Sequence, residues 1–407
     1  MELSFLSAHL PTCPPAHPMP ALYLHIPFCA HACPYCDFSF ELLKGGQVKR
    51  YLDALDIEMA QRAKEAIWGS ALFTTVFIGG GTPTALSRDQ LDRLFNLLHN
   101  HFRMAPAVEM TVEANPETLT RSKLTLLRSF GVNRLSLGVQ AFTSVSLARL
   151  GRHHTMNQGL RAFEWARQVG FENINIDLMF GAPDQIMVDW DETLSRTIDL
   201  APDHVSTYGL TIESGTPFGR QAEKDALDLP DEDLHIDMYN RALDRLISAG
   251  YQHYEVSNLA RPGAVCQHNL AYWNGADYLG LGPSAHSHIE GRRFANVRDL
   301  QPYLARIETR ASIVDLDETL SVDERMHEFI LLGLRQATGM DVQAFQHQFG
   351  HEAFQARRPS IDSLTESGFL EKSGTYLRLT RRGLAVVDSV CEKNQRGTFM
   401  RGAVCRA

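Results

Sequence analysis

The chain of 407 residues has no stretch approaching the roughly 18 uncharged apolar residues that a membrane span requires. Met1 to Pro20 lacks a basic start followed by a long apolar run, so it does not read as a secretory leader. Positive charge is short: 39 Lys and Arg face 48 Asp and Glu, for a formal net charge of -9. That balance argues against extensive nucleic-acid contact. No tandem repeat is evident. Cysteine is sparse and odd in number, with seven in the chain. An odd, clustered set in a long chain is not a disulfide scaffold. Free thiols and a metal site suit a reducing compartment, so a cytoplasmic location is expected. The rest is an ordinary globular composition, 44% hydrophobic and 21% charged. It is long enough for one large α/β domain and a smaller one.

Residues 1–20 hold five prolines and read as a loose arm. Apolar strand candidates then alternate with amphipathic helix candidates. The strands are Leu22–Ile26, Phe73–Ile78, Val108–Glu113, Arg134–Leu137, Ile174–Leu178 and His204–Gly209. Between them lie helices at Val48–Lys64, Arg88–His101, Arg121–Phe130, Asn157–Val169 and Trp190–Ile198. This order predicts repeated βα units and a mostly parallel sheet. Polar residues and glycines cluster just after these strands. In a parallel barrel such ends share one rim, where ligands bind. A helix is expected at Glu232–Ala249. The first domain is expected to run over 21–290, with a connection at 291–320. A C-terminal domain at 321–391 has helix candidates at Glu324–Arg335, Val342–Phe349 and around Ile361–Ser367, then a strand at Tyr376–Leu379. Short helices before a small hairpin resemble a winged helix. Residues 392–407 read as a frayed tail.

The segment Cys29-Ala30-His31-Ala32-Cys33-Pro34-Tyr35-Cys36 places three thiols in one short loop. Such a loop can wrap three corners of a [4Fe–4S] cubane, because thiolates suit iron. The fourth iron would then stay open to a small chelating ligand such as S-adenosylmethionine. Two other readings fit the same residues. Zinc can be held by cysteines with His25 or His31. Cys266 can supply a fourth thiolate to a closed electron-transfer cluster. Cys13, Cys391 and Cys405 are expected to be bystanders.

The spacing Cys-x3-Cys-x2-Cys resembles the signature of the radical S-adenosylmethionine superfamily. Tyr23-Leu24-His25-Ile26-Pro27-Phe28-Cys29 narrows the resemblance to the oxygen-independent coproporphyrinogen-III-oxidase-like branch. Further matching strings are Gly79-Gly80-Gly81-Thr82-Pro83-Thr84, Leu137-Gly138-Val139-Gln140-Ala141-Phe142, Gly151-Arg152-His153-His154 and Asp177-Leu178-Met179-Phe180-Gly181. The oxidases carry another cysteine two residues after the third, where this chain has Phe38. Cys266-Gln267-His268-Asn269-Leu270-Ala271-Tyr272-Trp273 is similar instead to the element of the HemW-like heme chaperones. The resemblance implies an α/β fold, a partial (βα)6 TIM-type barrel with a small C-terminal, HemN-like domain. It also implies a [4Fe–4S] cluster, S-adenosylmethionine and heme as cofactors. The expected function is to bind heme and transfer it to respiratory hemoproteins. An electron donor and peripheral membrane association through partners are expected with it. The alternative is an oxygen-independent coproporphyrinogen III oxidase, a radical decarboxylase.

Carried onto this chain, the resemblance makes Cys29, Cys33 and Cys36 the iron ligands. Phe38 would cover the cluster. Gly79, Gly80, Gly81 and Thr82 would admit the methionine part of the ligand, since a Cβ would block close approach. The run lacks the Lys-Ser/Thr ending of a P-loop, which argues against a nucleoside triphosphate. Glu113 would accept from the ligand's ammonium, and Arg152 would pair with its carboxylate. Gln140 and Asp177 would contact the ligand, Asp177 at the ribose, and Tyr23 would border it. An internal ion network at the rim would use Glu113, Arg152 and Asp177 as well. His268 is the expected heme ligand. Tyr272 and Trp273 would border the macrocycle and Asn269 would order the loop. Cys266 is a second candidate ligand, while His153, His154, His286 and His288 are read as surface or hydrogen-bonding residues.

Overall fold

The computed structural model describes residues 20–387. The expected arm, the tail, Cys13, Cys391 and Cys405 lie outside the described residues, apart from Pro20. Six parallel strands form the centre: β1 (Ala21–Ile26), β2 (Leu72–Gly80), β3 (Arg103–Ala114), β4 (Arg134–Gln140), β5 (Asn173–Phe180) and β6 (His204–Gly209). They pair in that order, each parallel to the next. The crossovers carry α1 (Gln47–Arg62), α2 (Arg88–His101), α3 (Arg121–Ser129), α4 (Met156–Val169) and α5 (Met187–Leu200). The expected α/β partial barrel is the architecture observed.

Alternation within the strands explains the packing. Leu22, Leu24, Ile26, Val76, Ile78, Val112, Leu135, Leu137, Ile174, Ile176 and Leu178 belong to the main core and are fully buried. Each such side chain contributes about 1.5–3 kcal/mol on leaving water. The residues between them, including Tyr23, Phe77, Glu113, Ser136 and Asp177, line a cavity inside the barrel. Side chains two apart share a face, so one face of the sheet is apolar and the other largely polar. Three described helix starts follow capping boxes: Ser87 with Gln90 before α2, Thr155 with Gln158 before α4, and Ser321 with Glu324 before the helix at Val322–Arg335.

The sheet does not stop at six strands. After α6 (Glu232–Ser248) come β7 (Gln252–Glu255) and β8 (Asn258–Ala260), antiparallel beside β6. Next is α7 (Gln267–Trp273), then β9 (Tyr278–Leu281), which joins β1 in parallel. β10 (His286–Ile289), β11 (Arg292–Asn296), α8 (Leu300–Glu308) and β12 (Val314–Thr319) follow. The sheet order is β12-β11-β10-β9-β1-β2-β3-β4-β5-β6-β8-β7. Residues 291–320, expected to be a connection, are therefore corrected: they extend the main sheet. A buried carboxylate secures this extension. Glu58 of α1 accepts from Gly282 N at 2.8 Å, Asn296 Nδ2 at 2.6 Å and the Tyr303 hydroxyl at 2.6 Å.

Beyond lie α9 (Val322–Arg335), β13 (Met340–Asp341), α10 (Val342–Phe349), α11 (His351–Glu366), β14 (Leu370–Ser373) and β15 (Tyr376–Leu379). They share a second apolar cluster that includes Leu334, Phe345, Ile361 and Leu377. α11 begins ten residues earlier than expected and runs through Pro359. Proline removes a helix hydrogen bond and crowds the preceding turn, so the sequence reading starts this helix too late. No helix among the described residues is long and apolar enough to cross a membrane.

Candidate functional site

β1 feeds directly into the cysteine loop. Phe28–Cys29 pairs with Glu41–Leu42, which ties the loop at its base. Cys29, Cys33 and Cys36 are free thiols and line the barrel cavity of about 960 Å³. Burial pushes the Cys29 thiol up to about 11 and the Cys36 thiol up to about 12. A metal reverses that preference, because it binds the thiolate and releases the proton. Among the described residues, no three His, Cys, Asp or Glu side chains converge on a single ion. Three corners of a cubane belong to three separate irons, so they need no such convergence.

Neighbouring groups connect the thiols to the strand ends. Thr82 Oγ1 lies 3.5 Å from Cys29 Sγ and accepts from Asn115 Nδ2 at 3.0 Å. Arg152 donates to Cys33 Sγ at 3.2 Å, to Asn115 Oδ1 at 2.9 Å and to the Gly138 carbonyl at 2.9 Å. Its Nε is buried without a partner. Gln140 Oε1 is also buried and unpartnered, and the backbone there is left-handed, with φ 66°. β4 slips register against β5 just before Gln140. Strain at a cavity wall, beside an orphaned acceptor, suits a ligand contact.

The glycine run is also demanded by the protein's own packing. A Cβ on Gly79 would meet the Glu113 carboxyl at 2.8 Å, and one on Gly81 the Phe28 carbonyl at 2.6 Å. Gly80 has φ 102°, and its Cβ would meet the His25 ring at 2.5 Å. A side chain at any of the three would collide with the protein itself, while Gly80 and Gly81 still line the cavity. Gly80 N donates to Glu113 Oε2 at 3.1 Å. Burial, then the charge of Asp177, pushes Glu113 up to about 8. Asp177 accepts from Ser136 at 3.1 Å and Asn175 at 2.8 Å. His25 Nε2 donates to the Ser39 carbonyl at 2.8 Å, so its Nδ1 accepts from the Tyr23 hydroxyl at 3.0 Å.

α7 occupies the other end of the strands. Cys266 Sγ lies 3.5 Å from Glu109 Oε1, and the amides of Gln267 and His268 donate to the same carboxylate at 3.0 Å. Glu109 precedes Glu113 by four residues, roughly 13 Å along a strand. Cys266 is thereby separated from the three rim thiols. The alternative in which it supplies a fourth cluster thiolate is set aside on this ground, and it does not line the cavity. His268 does line it, but its Nδ1 lies 2.9 Å from Thr75 Oγ1 and its Nε2 lies 3.0 Å from the Tyr272 hydroxyl. Its ring stacks on Phe77 with centroids 5.2 Å apart. Burial holds it down at about 3. Both nitrogens of His268, the expected heme ligand, are thus engaged by neighbouring hydroxyls. Tyr272 also packs edge-on to Tyr278, and Arg335 lies over the buried Trp273 ring. Asn269 is half-buried on the cavity wall. Phe38 stands at the cavity with 48% of its surface exposed, so it is no packed lid here.

Sequence reasoning passed over Asn115, Arg134 and Arg298, which also line the cavity. Asn115 was within reach of the strand-end rule, two residues beyond Glu113. Arg134, at the start of a strand, carried no such signal.

Comparison with known proteins matches this geometry. The Radical SAM superfamily model matches residues 23–197, and the HemN C-terminal domain model matches 320–386. The chain is 35% identical over 366 residues to a Bacillus subtilis protein called heme chaperone HemW, covering 90% of this chain and 96% of the relative. An Escherichia coli heme chaperone HemW is 34% identical over 380 residues, covering 91% and 97%. The solved Escherichia coli coproporphyrinogen III oxidase HemN superposes with a TM-score of 0.81 at 27% identity, covering 93% of this chain and 90% of that one. The chain belongs to the HemW/HemN-like family of radical SAM proteins. Membership brings a [4Fe–4S] cluster and S-adenosylmethionine as cofactors. The residues present fit them: three free thiols share one cavity with the unpaired Arg152 Nε and Gln140 Oε1.

Proposed function

We propose that the protein is a heme chaperone that binds heme and passes it to hemoproteins, respiratory ones in particular. The observation that carries this is the single cavity of about 960 Å³. It joins the cysteine loop to an aromatic and imidazole wall, and it lies near the top of the range for small-molecule sites, about 300–1,000 Å³. The naming of the relatives that match nearly end to end supports the same reading.

Cys29, Cys33 and Cys36 would hold the cluster. When bound, the cluster supplies a chelation point for S-adenosylmethionine and a source of one electron, renewed by an external donor. Glu113, with one oxygen on Gly80, offers the other to the ligand's ammonium. Arg152 turns its Nε to the carboxylate, Asp177 takes the ribose hydroxyls, and Tyr23, Thr82 and Gln140 border the ligand. Asn269, Tyr272 and Trp273 border heme, and His268 positions Tyr272. A ligand that favours one state of the cavity shifts the protein to that state, so the two ligands are coupled. Partners bring the protein to the membrane where acceptors reside.

The test is anaerobic reconstitution followed by joint titration of S-adenosylmethionine and heme. Saturable heme binding whose affinity changes with the second ligand is expected. The rival is coproporphyrinogen oxidation, favoured by the superposition on HemN. Conversion of coproporphyrinogen to protoporphyrinogen by the reconstituted protein would replace the chaperone reading.

A further inference from the structure

His268 is engaged at both nitrogens, whereas another imidazole on the same cavity wall is not. His286, the first residue of β10, is half-buried on its wall. Among the described residues its ring has no hydrogen-bond or ion-pair partner, and its nitrogens are not sealed from the cavity. His288 shares that face of the strand but is tied to the Ala276 carbonyl at 3.3 Å. Burial, then the charge of Arg293, lowers the pKa of His286, so the ring is neutral and keeps a lone pair. A neutral imidazole with a free nitrogen is the form that ligates iron.

The surroundings suit a flat apolar macrocycle with acidic arms. Phe38 and Leu316 both line the cavity, yet leave 48% and 37% of their surfaces exposed. Large apolar side chains left open at a cavity wall mark a binding surface. Arg298 lines the same space. It donates to the Asp37 carbonyl at 2.8 Å and has no carboxylate partner among the described residues. Two acids on this wall are already paired: Asp315 with Arg306 at 3.0 Å, and Glu328 with Arg293.

We propose that His286 is the protein ligand to heme iron, with Phe38 and Leu316 against the macrocycle and Arg298 pairing a propionate. This rests on the heme-binding reading above and names the site within it. The thiols of the rim stay with the cluster, and coordination by His286 transfers no electron or proton.

The test titrates hemin into the full-length, anaerobically reconstituted protein and records absorption and paramagnetic resonance spectra. His286→Ala should shift the heme spectrum and weaken binding by about tenfold or more, the scale of losses at metal sites. Added imidazole should restore the wild-type spectrum in His286→Ala, which a merely misfolded variant would not allow. His286→Gln, closer in volume, should show the same spectral shift. Arg298→Gln should weaken hemin binding but not binding of hemin dimethyl ester. An unchanged spectrum and affinity in His286→Ala and His286→Gln would overturn the assignment while leaving heme binding intact. Absence of saturable binding in the wild type would instead remove the chaperone reading, and this assignment with it.

Discussion

Each end of the parallel barrel sets a cysteine near a histidine, and the two ends use them in opposite ways. At the rim, Cys29, Cys33 and Cys36 face open space, and Arg152 and Gln140 keep polar atoms unpaired. At the other end, Cys266 and the His268 amide converge on Glu109, and the His268 ring is held between Thr75 and Tyr272. Residue type alone does not separate ligand sites from scaffolding. The decisive difference is whether hydrogen-bonding capacity has already been used, since buried polar groups rarely stay unpaired without a reason.

Removing one thiol at each end tests that contrast most severely. Cys33→Ser should abolish stable loading of about four irons per chain, whereas Cys266→Ser should keep the iron, as read by anaerobic metal analysis. Equal iron loss in both would erase the distinction.

Glu113 offers a second measure. It is held protonated up to about 8 in the folded chain, against 4.5 for the free group. Between those values the unfolded chain has lost the proton and the folded chain retains it. Stability from this group is therefore full below 4.5 and declines as pH rises through about 8. The apoprotein should lose on the order of 5 kcal/mol across that span relative to Glu113→Gln. Urea unfolding at the two ends of the window reads the difference, and parallel pH profiles would refute the shift.

His268→Ala should cost about 2–3 kcal/mol, because it strands the buried Thr75 hydroxyl and the half-buried Tyr272 hydroxyl and empties a stacked site. The heme absorption maximum should stay put; displacement as large as that for His286→Ala would return His268 to the iron. The smallest effect on folding belongs to Phe38→Ala. Its exposed ring should matter to stability by no more than ~0.5 kcal/mol, while hemin affinity in the titration falls several-fold.

The parallel core was legible because its outward positions are apolar at every second residue, as in Leu22, Leu24 and Ile26. The start of α2 carries its own mark in the chain, Ser87 three residues before Gln90. The added strands were not. Arg292–Asn296 mixes charge, aromatic and amide without alternation, and Val314–Thr319 is an exposed acidic edge. Their place depends on partners far along the chain. Glu113 drew notice as a strand end, and Arg152 through a family string rather than its place after a strand. The state of an imidazole could not. His268 and His286 look alike in a string of letters, and only their neighbours in space tell an engaged nitrogen from an idle one.

Glu58 carries a mechanical implication. Its three donors come from the Gly282 turn, β11 and α8, so those pieces and α1 share one anchor. The flank bearing His286 is thereby fastened to the barrel and acts as a fixed jaw. On the far side α9 is clipped to β11 through Arg293 and Glu328. Should a rigid disc need extra clearance to slip in, that clip is the natural catch to release.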